Sequence, residues 1–283
     1  MSRMRAASIV KEVWRMTENL VVVRGGGDLA TGTVCRLVNC GFNVVVLETA
    51  QPTVIRRTVA FAQAVFDGKT TVEGLTAVKA ESVRECETLL SEGKIPVLVD
   101  PMCESLGDLR PEALVDAILA KRNLGTSMEM APIVIGLGPG FYAGRDVHAV
   151  VETNRGHNLG RVFYDGAAEP NTGTPGNIAG YTSERIVRAP AAGVITTTAD
   201  IGDHVEQGQE LARVQGVPVC APLTGVLRGM IQSGISVDAG MKIGDVDPRD
   251  KKEYCYTASE KARAIGGGVL EAILHLRLGL PKY

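Results

Sequence analysis

Val187-Arg-Ala-Pro-Ala-Ala-Gly-Val-Ile195 and Val219-Cys-Ala-Pro-Leu-Thr-Gly-Val-Leu227 are one pattern written twice, 32 positions apart. The first copy runs on to Gly202, Val205, Gly208 and Val214, the second to Gly234, Val237, Gly240 and Val246, and the two align without a gap. An ungapped repeat of this length marks one supersecondary unit used twice, each copy covering the apolar face of the other. Proline and glycine recur too often for a helix. Short β-branched runs between Gly202-Asp203, Gln207-Gly208, Gly234-Ile235 and Ala239-Gly240 read as strands joined by turns. The repeat sets a small all-β unit over residues 187–250 apart from the front of the chain.

The repeated frame resembles the halves of biotinyl and lipoyl carrier domains, which fold as a barrel-sandwich. Such carriers place a modified lysine on the hairpin between their halves. Here that stretch is Val214-Gln-Gly-Val-Pro-Val219, with no lysine. The unit is therefore expected to dock or to roof a site, not to carry a covalent group.

Working forward, Leu20-Val-Val-Val23 reads as a buried strand. Arg24-Gly25-Gly26-Gly27-Asp28 follows, then a stretch of helical period to Val38, Gly41 as its stop, and a second strand, Asn43-Val-Val-Val-Leu47, ending in Glu48. Strand, glycine turn, helix, strand and acid is the order of a dinucleotide-binding unit. There, glycines bring backbone N–H groups to a phosphate at the helix N-terminus, and the acid holds ribose hydroxyls. The match is imperfect: Gly32 comes later than G-x-G-x-x-G requires, and Asp28 would repel an anion unless it caps the helix. Ile95–Val99 is a further strand ending in Asp100-Pro-Met-Cys103, and Pro132–Ile135 is one ending in Gly136-Leu-Gly138-Pro-Gly140. Between them Pro111 is expected to start a helix through Leu114, Val115, Ile118 and Leu119, with Lys121 and Arg122 in its last turn. The alternation predicts an α/β fold with a mostly parallel, Rossmann-like sheet. Ligands of such sheets bind at the carboxyl ends of the strands. The expected crevice gathers Arg24, Gly25, Gly26, Gly27, Asp28, Glu48, Asp100, Gly138 and Gly140, with Arg155 as an anion contact.

The densest polar stretch is Asp146–Asn158. If Val147–Glu152 is a strand, His148 and Glu152 share a face and form a candidate acid–base pair. His157 lies with Arg155 in the turn that follows. Cys103, just past a strand end, is a candidate nucleophile or carrier of sulfur or selenium, because the thiolate is the reactive form. No histidine has the spacing of a zinc site, so no metal ligands are assigned. Ser259 to Leu278 has helical period despite Gly266-Gly267-Gly268, which close packing against the front domain would explain. Glu169 to Gly180 is a turn-rich loop able to close over a site. The expected organisation is a Rossmann-like domain at 1–165, a linker at 166–186, the barrel-sandwich at 187–250 and a C-terminal helical segment at 251–283.

With 283 residues, 45% hydrophobic content and net charge −2, the chain has the profile of an ordinary globular protein. Nothing points to nucleic acid or to an anionic membrane surface. No apolar run approaches the roughly 20 residues of a membrane-spanning helix. The basic start, Met1 to Arg5, is followed by Lys11, Glu12, Arg15 and Glu18, so no signal-type stretch is expected. Six cysteines without C-x-x-C spacing fit a reducing cytoplasm.

Arg24-Gly-Gly-Gly-Asp-Leu-Ala-Thr-Gly-Thr33, Val99-Asp-Pro101, Leu114–Asn123, Ile135-Gly-Leu-Gly-Pro-Gly-Phe141 and Ala264-Ile-Gly-Gly-Gly-Val-Leu-Glu271 together resemble the YqeB-type family. Its members are accessory proteins of selenium-dependent molybdenum hydroxylases, related in role to XdhC-type maturation factors. The resemblance implies an accessory protein that binds molybdenum cofactor and partners a hydroxylase apo-enzyme. It assigns no catalytic residue. Three readings stay open: a maturation factor holding a phosphate-bearing ligand in the crevice, an oxidoreductase using NAD or another nucleotide, and a non-enzymatic scaffold. Oligomeric state is not legible.

Overall fold

A computed structural model describes residues 19–173 and 176–281. The charges read at the start of the chain lie outside the described residues.

β1 (Leu20–Arg24), α1 (Asp28–Asn39) and β2 (Asn43–Glu48) follow in the expected order. Then come the short helix α2 (Ala64–Asp67), β3 (Lys69–Val72), β4 (Leu75–Ala80), α3 (Val83–Ser91), β5 (Ile95–Val99) and the short α4 (Leu106–Leu109). β6 (Ala113–Asp116), β7 (Ile133–Leu137), β8 (Ala149–Val151) and β9 (Val162–Phe163) complete a nine-stranded sheet, in the order β3-β4-β5-β2-β1-β6-β7-β8-β9. Neighbours from β4 to β8 are all parallel, and β3 and β9 run antiparallel at the edges. β1, β2, β6 and β7 are almost entirely buried, as unbroken apolar strands inside a parallel sheet must be. Strand order reverses between β1 and β6, which makes that gap the switch point where ligands of such sheets usually lie.

One expectation fails here. Pro111 to Arg122 is not a helix: Ala113–Asp116 is β6, paired with β1 on one side and β7 on the other. A run of three apolar residues fits either state, and two strand partners decide it. Leu119 and Lys121 then take φ of +61° and +63°, which a helix does not allow.

The C-terminal helix α5 (Glu260–Arg277) is continuous through its glycines. Ser259 caps it by accepting the Ala262 N–H at 3.2 Å. The glycines let backbones touch. A Cβ on Gly32 of α1 would lie 2.5 Å from Ala262 Cβ, one on Gly266 would lie 2.9 Å from Gly32 O, and one on Gly268 would meet Gly160 O. Gly267 faces open space. Helices α1 and α5 thus cover one face of the sheet at close range, over Val21, Val23, Val34, Ile265 and Val269. α3 covers the other face, with Cys86 and Leu89 beside Val22 and Leu114.

The repeat forms two four-stranded sheets. Its strands are β10 (Ile186–Arg188), β11 (Gly193–Thr197), β12 (His204–Val205), β13 (Glu210–Val214), β14 (Val217–Cys220), β15 (Gly225–Met230), β16 (Ser236–Val237) and β17 (Lys242–Asp247). The sheets run β10-β17-β15-β12 and β14-β13-β11-β16. Moving every label by one repeat turns one sheet into the other, so each copy gives two strands to both sheets. Ile195, Leu211, Leu227, Met230 and Ile243 fill the space between them.

This β unit sits on the segment that leaves β2. Ile55 O accepts the Met230 N–H at 2.9 Å, and Arg57 Nε donates to Met230 O at 2.7 Å. A Cβ on Gly229 would lie 2.7 Å from Ile55, so the glycine admits the contact. Residues 252–258 tie the two units together: Thr58 donates to Cys255 O at 2.5 Å, Arg56 to Tyr254 O at 2.9 Å, and Tyr256 to Ile201 O at 3.0 Å.

Candidate functional site

The register places Arg24, Glu48 and Asp116 together at the carboxyl ends of the central strands. Their polar atoms are turned to the fold. The buried Arg24 guanidinium donates to Pro101 O at 2.8 Å, to Thr126 Oγ1 at 3.0 Å and to Leu124 O at 3.3 Å, and pairs with Asp116 at 3.4 Å. Thr126 also donates to Asp116 Oδ2 at 2.6 Å, and Ile118 N–H to Oδ1 at 3.2 Å. A charged, fully hydrogen-bonded plug therefore occupies the switch point. Beside it, Glu48 accepts the Gly26 N–H at 2.9 Å and the Thr49 N–H at 2.6 Å. The carboxylate expected to hold ribose instead closes the glycine turn. A Cβ on Gly26 would lie 2.9 Å from Ala62 N, and one on Gly25 would lie 3.1 Å from the Ala117 carbonyl, so both glycines serve backbone contact.

The other expected residues are also engaged. Gly138 packs on Thr153, and a Cβ on Gly140 would lie 2.6 Å from the Arg122 backbone. Asp100 caps the following turn, accepting from Ser105 Oγ at 2.6 Å, Ser105 N at 2.8 Å and Glu104 N at 2.9 Å. Burial works against its ionised form, but those hydrogen bonds prevail and hold it below the usual carboxylate range. Cys103 is buried at φ +61°, and desolvation pushes its thiol up to about 11 despite nearby Arg24. Burial therefore disfavours the thiolate, the form a nucleophile needs.

His148 and Glu152 do not meet. His148 stands at the amino end of β8, where Nδ1 accepts the Val134 N–H at 2.9 Å. Glu152 stands at the carboxyl end, about 13 Å farther along an extended chain. It is fully buried and accepts from Asn154 N at 2.6 Å and Glu169 N at 2.8 Å, tying the linker loop to the sheet. His157 is exposed in the turn. Among the described residues, no group of three or more His, Cys, Asp or Glu is placed to hold a metal ion. No described helix is long and apolar enough to cross a membrane.

An open pocket does exist, at the junction of the two units. Arg155, Arg228, Arg249, Glu260, Asn177, Ile178 and Ala179 line about 150 Å³. Arg155 comes from the turn after β8, Arg228 from β15, Arg249 from just beyond β17, and Glu260 is the first residue of α5. The turn-rich loop supplies the remaining wall. Asp28, at the start of α1, pairs with Arg56 at 3.2 Å on the same side of the junction. Half-buried Lys242 and Lys261 are both pushed down, chiefly by desolvation; neighbouring arginines add to this, while Asp245 and Asp28 oppose it at Lys242 and Asp28 opposes it at Lys261. The junction therefore collects cations.

Sequence reasoning named Arg155 and missed Arg228, Arg249 and Glu260. A signal was there. Arg228 occupies the position that Thr196 holds in the first copy, Lys242 that of Glu210, Asp245 that of Arg213, Asp247 that of Gln215 and Arg249 that of Val217. The second copy alone carries this charge cluster.

No protein-family model matches the chain. The chain is a close homologue of "Uncharacterized protein YqeB" of Escherichia coli (strain K12), 56% identical over 257 residues, which is 91% of this chain and 48% of that protein. It thus spans about half the length of that relative. Among solved structures, an aspartoacylase family protein from Mesorhizobium loti aligns at TM-score 0.27 and 12% identity, over 80% of this chain and 84% of that one. The product-bound ectoine utilization protein EutE (DoeB) from Ruegeria pomeroyi aligns at TM-score 0.24 and 12% identity, over 72% and 57%. Scores this low bear on neither fold nor function.

Proposed function

We propose that this protein is an accessory factor that holds a phosphate-bearing ligand for a molybdenum hydroxylase, and that it is not a nicotinamide-dependent oxidoreductase. The observation that carries the reading is the closed glycine turn. Glu48 holds the Gly26 N–H, and the Arg24–Asp116–Thr126 plug holds the switch point, so the usual seats of pyrophosphate and ribose are taken by the chain itself. The ligand's phosphate then belongs at the junction, where buried Arg228 and the more exposed Arg155 and Arg249 line the pocket. The pocket residues fit the anionic end of molybdenum cofactor, and among the described residues no ligand set is offered to its metal. When bound, the cofactor would supply redox chemistry to the client enzyme, while this chain binds, orients and shields it. The maturation role, the selenium-dependent client and the hydroxylase apo-enzyme as partner rest on the likeness in the motifs quoted above.

Calorimetric titration tests the reading. Saturable binding of molybdenum cofactor with no heat from NAD is the expected result. NAD binding that disappears in Glu48→Ala would replace the accessory factor with the oxidoreductase, and binding of neither would favour the scaffold.

A further inference from the structure

Five arginines meet at the junction, and four have a carboxylate of their own. Arg56 pairs with Asp28 at 3.2 Å, Arg155 with Glu260, Arg185 with Asp245, and Arg249 with Asp247 through two bonds of 2.9 and 2.6 Å. Arg228 is the fifth. It is 8% exposed, and its ion-pair contact, at 3.7 Å, is to an Asp247 already chelated by Arg249. Its Nε, like those of Arg56 and Arg185, has no hydrogen-bond partner among the described residues. A guanidinium cannot shed its proton to relieve this. A buried charge without full pairing is costly, so its retention inside a strand calls for a counter-ion from outside the chain. The pocket it lines is smaller than the roughly 300–1,000 Å³ that encloses a drug-sized ligand. It suits a compact anion or the charged end of a longer molecule. Fork-shaped guanidinium groups from several directions match the oxygens of a tetrahedral anion.

We infer that Arg155, Arg228 and Arg249 form an oxyanion site shared by the two units, which takes a tetrahedral dianion, free or as the terminal phosphate of a larger ligand. The inference rests on the accessory-factor reading only for the identity of that larger ligand. Because Arg155 belongs to the front unit and Arg228 and Arg249 to the barrel-sandwich, the bound anion fastens one to the other. The desolvated Lys261, which already feels Arg155, gains from the same charge.

The test uses the full chain at constant ionic strength, with chloride exchanged for inorganic phosphate. Thermal melting and calorimetry should show that phosphate stabilises the protein beyond chloride. Arg228→Met removes the buried charge and keeps the bulk. It should be at least as stable as the parent without phosphate, and should bind phosphate about tenfold or more weakly. Arg155→Gln, at a half-exposed position in the other unit, should also weaken phosphate severalfold and carries the test if Arg228→Met does not fold. A nucleoside monophosphate that binds more tightly than inorganic phosphate identifies a terminal phosphate, and equal binding identifies a free oxyanion. No stabilisation beyond chloride, or full phosphate binding in both variants, overturns the site. If phosphate fails while molybdenum cofactor still binds, the oxyanion site falls and the accessory reading stands. If phosphate binds and the cofactor does not, the reverse holds.

Discussion

Replacing Glu48 by alanine removes both acceptors that close the glycine turn. The lost bonds, from Gly26 N at 2.9 Å and Thr49 N at 2.6 Å, run to the carboxyl oxygens of a residue 9% exposed. Each such bond contributes about 1.5–3 kcal/mol, and a buried N–H left without a partner costs about 1–3 kcal/mol. Gly26 is crowded by Ala62 and Val46, so water does not simply replace the carboxylate. Because the terms overlap, the expected loss is about 2–4 kcal/mol. Glu48→Gln keeps an oxygen for Gly26 and turns an amide toward Thr49, and should lose about half as much. Urea unfolding followed by far-ultraviolet circular dichroism gives the loss as a lower midpoint, with calorimetry against NAD in parallel. A variant with the parental midpoint would refute the structural role of Glu48. A parent protein that binds NAD through this residue would refute it more directly.

The glycine triplet of α5 gives a contrast within one turn. Gly267→Ala meets no atom and should stabilise by up to about 1 kcal/mol, whereas Gly268→Ala drives a methyl into Gly160 O and should destabilise by about 1–2 kcal/mol after the propensity gain. Urea midpoints that move together would contradict the close packing of α5. Of the cysteines, exposed Cys40 and Cys220 should alkylate rapidly at pH 8, while Cys103 should not, as mass spectrometry of the native protein would show. Burial raises Cys35 from 9.0 to about 12, and Cys86 and Cys103 from 9.0 to about 11. The unfolded chain releases those protons first, so their stabilising effect is complete below pH 9 and is lost as pH rises toward the folded values. The urea midpoint should fall between pH 9 and 11, and a midpoint that rises there would contradict the burial of these thiols.

The barrel-sandwich was legible because its signal is local and duplicated: turn residues recur at fixed offsets, and the strand exchange between sheets follows from the pseudo-symmetry. The first strand, helix and second strand were legible because their signal is also local: Leu20–Val23 and Val44–Leu47 are apolar on both faces. Ala113–Asp116 was not, because its state is set by β1 and β7, which are remote in sequence. The glycine turn was read correctly as a turn, but what fills the switch point beside it was invisible: Arg24 reaches Leu124 and Thr126, a hundred positions away. Arg228 was hidden by the repeat itself. Aligning the copies displays what they share, and the repeat's contribution to the pocket, Arg228 and Arg249, comes from positions where they differ.

The most direct test of the account is a crystal structure of the full chain grown with a nucleoside monophosphate. The account predicts that the phosphate contacts Arg228, Arg155 and Arg249 at the junction, with Glu48 still holding the Gly26 N–H. A phosphate seated on Gly25–Gly27, with Glu48 displaced and the Arg24–Asp116 plug opened, would contradict it.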